Sequence, residues 1–558
     1  MAPRCRRNVV PVGRHSGLIT LHRPHCVRKT IETFNLPEAR SVERNPSQER
    51  LRELARADVS RVIETEFGNL NYRAEVTARL KNSTFFVADH EIHQNRISPA
   101  EAQEWATRQN RYIADREMLL VEGYIGPDPD FRTGCRLFIE ASQPNIAAMQ
   151  AQLYFPPDES WEPAFSVIYT PGLAAPGKPD ERLIIVDLDN WVTRVFGSDY
   201  FGESKMGGLR MWNRLVYDMG GLGLHAGLKT YPARVTRSGA EESMLIIGLS
   251  GTGKTTTTFR QQLGSLPVQD DFVALMAGGL VHTTEAGCFA KTFGLDPEDE
   301  PTIYGGTTRP DAWLENVSVD QNGKVDFFDT GYTANGRCTF PMANIRHRDP
   351  RSVPPARFLV ILNRSDHVIP AVAKLNRDQI AAYFMLGETK GTSAGGEAEA
   401  DKSLRVPGTN PFFFDDDSLQ GNRLLELLET IPDLEAFMLN TGRIGGEGGD
   451  SKKVTIPDSS AIVQGIVDGS ISWTTDQDFG YQVAETVPGV ADPELLQPRR
   501  LYERMGRLEE YETTVARLSK ERVEYLAGYQ ALDPSIPSGL QGLTRAWEKG
   551  REDTPTRR

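Results

Sequence analysis

The run Met244-Leu245-Ile246-Ile247, followed at once by Gly248-Leu249-Ser250-Gly251-Thr252-Gly253-Lys254-Thr255, constrains this chain more than any other feature. Four apolar residues predict a buried strand, and the pattern Gly-x-x-x-x-Gly-Lys-Thr predicts a tight loop opening into a helix. Glycines 248, 251 and 253 tolerate tight turns and leave backbone N–H groups bare to face anionic oxygens. Lys254 can then reach terminal phosphates, while the Thr255 hydroxyl is offered to Mg²⁺ at the helix start. A strand–loop–helix unit of this kind belongs to an α/β protein and points to phosphoryl chemistry on ATP. By contrast, Gly221-x-Gly223-x-x-Ala226 follows no clean strand and lies in no βαβ unit, so it is set aside as a dinucleotide signal.

At 558 residues the chain is too long for one core, and two lobes are expected. Helical spacing of Leu51, Leu54, Ala55, Val59, Val62 and Ile63 marks the start of folded structure near Gln48. Strands are predicted at 84–88, 118–121, 135–140 and 183–187, giving a substrate-side lobe over 48–230. A nucleotide lobe over 231–550 holds the glycine loop and a central strand at Arg357–Asn363. Residues 387–413, rich in small and polar side chains at their start, are expected to form a lid or a plain linker. Leu501, Met505, Leu508, Tyr511, Val515, Leu518, Val523 and Leu526 predict a C-terminal amphipathic helix with one break.

Composition removes several function classes. A net charge of −13 argues against sequence-independent nucleic-acid binding. No apolar run is long enough for a membrane span. Five scattered cysteines indicate neither a disulfide framework nor a zinc site, and a reducing, cytoplasmic setting is the default. Residues 1–47 are expected to be a tail. Their first part is basic, with no acidic residue before Glu32, which matches either a disordered extension or a mitochondrial targeting segment. The sequence carries no signal of oligomeric state.

About sixteen residues beyond Lys254, the paired carboxylates Asp270-Asp271 could hold a cation. Further motifs follow in order: Tyr200-Phe201-Gly202-Glu203-Ser204-Lys205, His225, Gly248–Thr256 and Glu285–Thr292. Glu300–Tyr304, Asp311–Val317, Arg337 before Phe340-Pro341, Asn440-Thr441-Gly442 and Ile462–Gly469 complete the series. Together, over roughly residues 50 to 530, they resemble a divergent ATP-dependent phosphoenolpyruvate carboxykinase. The resemblance implies a two-lobed α/β fold with mixed α+β lobes, the phosphate loop lying in the C-terminal one. It also implies a gluconeogenic reaction in which oxaloacetate and ATP give phosphoenolpyruvate, ADP and CO₂.

Carried over position by position, the resemblance assigns ATP to Gly248, Leu249, Ser250, Gly251, Thr252, Gly253, Lys254, Thr255, Thr256 and Glu300. The adenine end falls to Lys453, Val454 and Ser459. It gives Mg²⁺ to Thr255 and a second cation, Mn²⁺, to His225 and Asp271. Arg337, Arg79 and Tyr200 face the dicarboxylate, and Lys205, Ser250, Lys254 and Lys291 are further catalytic positions. Read without that context, His225 is more often a core histidine than a ligand, and the Asp270-Asp271 pair is more often a solvated turn than a cation site.

Three departures stand out. Met206 occupies the place of a metal-binding lysine, and a thioether is a soft, weak ligand for Mg²⁺ or Mn²⁺. Lys453 replaces an adenine-stacking arginine. The loop Ala78-Arg79-Leu80-Lys81-Asn82-Ser83-Thr84 keeps only its arginine. Two alternatives therefore stay open, a related kinase acting on another small carboxylate or protein acceptor and a nucleotide-binding pseudoenzyme.

Overall fold

The computed structural model describes residues 33–540 except His93, Ser250, 391–402, Pro411 and Glu447. The basic segment 1–32 and the middle of the expected lid lie outside these residues. The fold is mixed α/β, with two eight-stranded sheets and a five-stranded one among the described residues.

The first large sheet is drawn from residues 41–196. Its order is Ser41–Arg44, Glu117–Ile125, Thr133–Glu140, Phe165–Thr170, Val192–Phe196, Leu183–Asp187, Thr84–Val87 and Arg96–Ile97. The four strands predicted in this region are all present. Against the expected tail, however, Ser41–Arg44 pairs in parallel with Glu117–Ile125, and the Arg44 guanidinium binds the buried Glu122 carboxylate. The first helix also ends earlier than its apolar period suggests. Ser47 caps Gln48–Arg56, but Val62–Glu64 is a strand paired with Leu70–Tyr72, and Val59 is 86% exposed. Beyond Arg56 the β-branched Val59, Val62 and Ile63 fit an extended backbone better than a helix.

The second large sheet holds the strand of the glycine loop. Its order is Leu266–Asp270, Ala226–Tyr231, Glu242–Ile247, Ala356–Asn363, Glu435–Asn440, Val372–Leu375, Gln482–Thr486 and Ser472–Thr475. Glu242–Ile247 is buried throughout and lies beside the equally apolar Ala356–Asn363, as expected for a central parallel pair. Apolar side chains on the two faces form separate cores, one under Arg377–Leu386 and Ser418–Thr430, the other under Ile456–Asp468. The predicted C-terminal helix is two helices, Pro498–Arg504 and Leu508–Ala527, broken at Gly506 with φ of +68°.

A five-stranded sheet joins the early and middle parts of the chain, in the order Gly287–Lys291, Arg337–Pro341, Trp313–Glu315, Leu70–Tyr72 and Val62–Glu64. It carries Lys291 and Arg337 side by side, with the two residues as register partners. In the expected lid, Glu388–Lys390 pairs with Ser403–Arg405.

Candidate active site

The glycine loop leaves the carboxyl end of Glu242–Ile247 and enters the short helix Lys254–Phe259. Gly251 and Gly253 hold φ of +85° and +93°, a left-handed region that side chains resist. Gly248 is needed for a different reason. A Cβ there would lie 2.5 Å from Thr252 Oγ1 and 2.9 Å from Leu362 Cβ. The loop is braced from both sides, since Thr252 Oγ1 donates to the Leu249 carbonyl (2.7 Å) and Thr441 Oγ1 donates to the Thr252 carbonyl (2.8 Å). Ser250 lies outside the described residues.

Beneath the loop sits a buried ion cluster centred on Asp271. Its Oδ1 is 3.1 Å from Lys254 Nζ and 3.0 Å from His225 Nε2, and its Oδ2 is 2.5 Å from Lys205 Nζ. Lys205 also reaches Glu285 Oε1 at 3.0 Å. Burial alone would raise the Asp271 pKa, but Lys205 and Lys254 outweigh it and hold the carboxylate well below its ordinary range. Burial likewise opposes the Lys205 charge, yet Asp271 and Glu285 keep its pKa above the usual value. The His225 pKa is pushed down by burial and by Lys254, against the opposing pull of Asp271. Its Nδ1 lies 3.1 Å from the Thr409 carbonyl and its Nε2 3.0 Å from Asp271 Oδ1, so both ring nitrogens face hydrogen-bond acceptors. Thr255 Oγ1 donates to Asp270 Oδ2, and Thr256 Oγ1 donates to Glu300. The other Asp270 oxygen, Oδ1, is buried 3.6 Å from Lys254 Nζ and makes no hydrogen bond to the described residues.

This cluster opens into a cleft of about 820 Å³ whose wall includes Arg79, Tyr200, Lys291, Glu300 and Arg337, together with Met206. Arg337 donates from Nη2 to Asn335 Oδ1 (2.8 Å) and lies over the Phe289 ring, while its buried Nε makes no hydrogen bond to the described residues. Burial, then the Arg337 charge, depress Lys291 to about 8. Tyr200 stays a neutral phenol because burial raises its pKa. The loop bearing Arg79 is short of regular structure and is held by side chains instead. Asp199 accepts the Glu75 and Val76 N–H groups, Glu203 accepts Leu80 N–H, and Asn335 Nδ2 donates to the Thr77 carbonyl. Asn335 thus links Arg337 to the Arg79 loop.

Lys453, Val454 and Ser459 are not on the cleft wall. Lys453 is exposed on the short strand Lys452–Lys453, buried Val454 donates its N–H to the Gly442 carbonyl, and Ser459 lies in the helix Ile456–Asp468. Sequence reasoning assigned no role to Glu285, Glu203 or Asn335. Their signal was adjacency: each stands two to six residues from a residue that it did assign. Cys288 is buried, and burial raises its thiol pKa. Among the described residues no group of three or more His, Cys, Asp or Glu is placed to hold a metal, and no helix is long and apolar enough to cross a membrane.

A family model described as phosphoenolpyruvate carboxykinase matches residues 40–493, which takes in the loop, the ion cluster, Arg79 and Arg337. The chain belongs to this family. Similar proteins include the phosphoenolpyruvate carboxykinase (ATP) of Aeropyrum pernix, 31% identical over 76% of this chain and 83% of that protein. The protein of the same name from Pelobacter propionicus is 28% identical over 79% of this chain and 85% of its own length. That of Caldanaerobacter subterraneus is 26% identical over 91% and 98% respectively. The carboxykinase match ends before the helices Pro498–Arg504 and Leu508–Ala527.

Proposed function

We propose that the chain is an ATP-dependent phosphoenolpyruvate carboxykinase that converts oxaloacetate and ATP to phosphoenolpyruvate, ADP and CO₂. The observation that carries this reading is that the glycine loop, Lys254, Arg337 and Arg79 all line one cleft. A triphosphate and a dicarboxylate need that concentration of cations and N–H donors to meet.

In this reading the loop N–H groups and Lys254 hold the terminal phosphates of ATP, and Arg337, Arg79 and Tyr200 hold the acid. The buried Nε of Arg337, which makes no hydrogen bond to the described residues, suits an anionic oxygen. Cleavage of the bond to the departing carboxylate releases CO₂ and leaves its electron pair on the enolate, whose oxygen attacks the terminal phosphorus. The bond to the ADP oxygen breaks, and Lys205 and Lys291 neutralise charge on the group in flight. Thr255 with Asp270 Oδ1 offers hard oxygens for Mg²⁺. His225 Nε2 with Asp271 offers a nitrogen and an oxygen for Mn²⁺, whose charge would stabilise the enolate. Met206 adds no ligand of comparable strength.

The base is assigned to Lys453, Val454 and Ser459, which follow the Thr441–Gly442 turn bracing Thr252. The substrate-side and nucleotide-side lobes, 48–230 and 231–550, belong to the same proposal. So does a reducing, cytoplasmic setting, in keeping with the free thiols of Cys135, Cys288 and Cys338. The test is an assay of purified protein with oxaloacetate, ATP, Mg²⁺ and Mn²⁺. Phosphoenolpyruvate and ADP formed in equal amounts support the reading, whereas ATP turnover without decarboxylation would assign the fold another acceptor.

A further inference from the structure

One buried cation near the cleft has no part in this chemistry. Lys229 lies in the strand Ala226–Tyr231, between the strand that delivers the glycine loop and the strand that delivers Asp270. Its side chain is wholly enclosed, with 0% exposure. Among the described residues no carboxylate pairs with it. Its Nζ donates instead to the Arg260 carbonyl at 2.7 Å and the Thr257 carbonyl at 3.0 Å. Burial, and then the nearby Arg260 charge, push its pKa down to about 7, and an amine remains a donor in either protonation state.

Those two carbonyls belong to the far end of the helix Lys254–Phe259 and its cap. At six residues this helix has too few internal bonds to be stable alone, and its last carbonyls have no partner within the helix. The same strand accommodates the helix at Gly227, where a Cβ would fall 1.9 Å from Thr258 Oγ1. Strand and helix are therefore in direct contact, with Lys229 as the polar link between them.

We propose that Lys229 is a positioning residue for the nucleotide, tying down the carboxyl end of Lys254–Phe259 so that the amino end holds Lys254 and Thr255 in place for phosphate. This rests on reading the glycine loop as the ATP site. A donor at the carboxyl end also offsets the negative end of the helix dipole, which stabilises the helix itself.

The test is ATP titration with Mg²⁺ by calorimetry, run on the full chain and on Lys229→Met, with the KM for oxaloacetate and the melting temperature measured alongside. The expected result is an ATP Kd raised about tenfold, as for two lost buried hydrogen bonds, with the oxaloacetate KM unchanged. An unchanged ATP Kd in a folded variant, or an equal rise in both constants, overturns the inference. Should Lys229→Met fail to fold, Lys229→Gln keeps one donor and is judged by the same criterion. A full chain that binds no ATP would instead overturn the functional reading on which this one stands.

Discussion

Replacing Asn335 by alanine tests whether Arg337 and Arg79 act as a unit. The side chain is 3% exposed, accepts from Arg337 Nη2 at 2.8 Å and donates to the Thr77 carbonyl at 2.6 Å. Alanine removes both contacts without adding bulk. One contact involves a charged donor and the other a neutral carbonyl, so the loss is about 2 kcal/mol once relaxation is allowed. Expressed in transition-state binding, that is roughly a 30-fold fall in kcat/KM for oxaloacetate. The assay is steady-state phosphoenolpyruvate formation at saturating ATP, with ATP affinity measured separately. Asn335→Asp provides the control, because it keeps an acceptor for Arg337 but turns a carboxylate oxygen toward Thr77. An alanine variant with undiminished kcat/KM for oxaloacetate would refute the reasoning, whatever happened to its stability.

Other outcomes follow from single features. Lys291, depressed to about 8, is protonated below that pH and neutral above it, so kcat/KM should fall as pH rises through about 8. The folded protein binds fewer protons there than the unfolded chain, so this residue's effect on stability has the opposite sign and improves with rising pH. Lys291→Arg should remove that alkaline limb from the pH–rate profile, because guanidinium stays charged. Gly253→Ala meets nothing closer than 3.9 Å but must hold φ of +93°, so a cost of about 1–2 kcal/mol from backbone strain is expected in urea denaturation. Arg522 is 2% exposed and grips Glu388 at 2.7 Å. Its replacement by methionine leaves that carboxylate to Arg405 alone and should cost about 3 kcal/mol in thermal unfolding.

Local patterns were legible in the sequence and long-range ones were not. The strand into the glycine loop, the four strands of the first sheet and the break in the C-terminal helix follow from apolar period and glycine placement. The pairing of Leu70–Tyr72 with Trp313–Glu315 has no local signal, because it joins residues more than two hundred positions apart. Ser41–Arg44 escaped notice because an edge strand of alternating polar residues looks like a tail. At the site, charged residues in recognisable motifs were brought together, as Lys205, His225, Lys254 and Asp271 show. Residues that act through the backbone, such as Glu203 under the Arg79 loop and Lys229 under the short helix, carry no motif of their own.

The claim on which the account depends is that one cleft holds phosphate and acid face to face. A crystal structure with a non-hydrolysable ATP analogue, Mg²⁺ and a dicarboxylate that cannot decarboxylate measures it directly. The account predicts the terminal phosphate against Lys254 and the glycine loop, with the dicarboxylate on Arg337 within reach of it. A dicarboxylate bound away from Arg337, or a nucleotide whose phosphates avoid the loop, would contradict it.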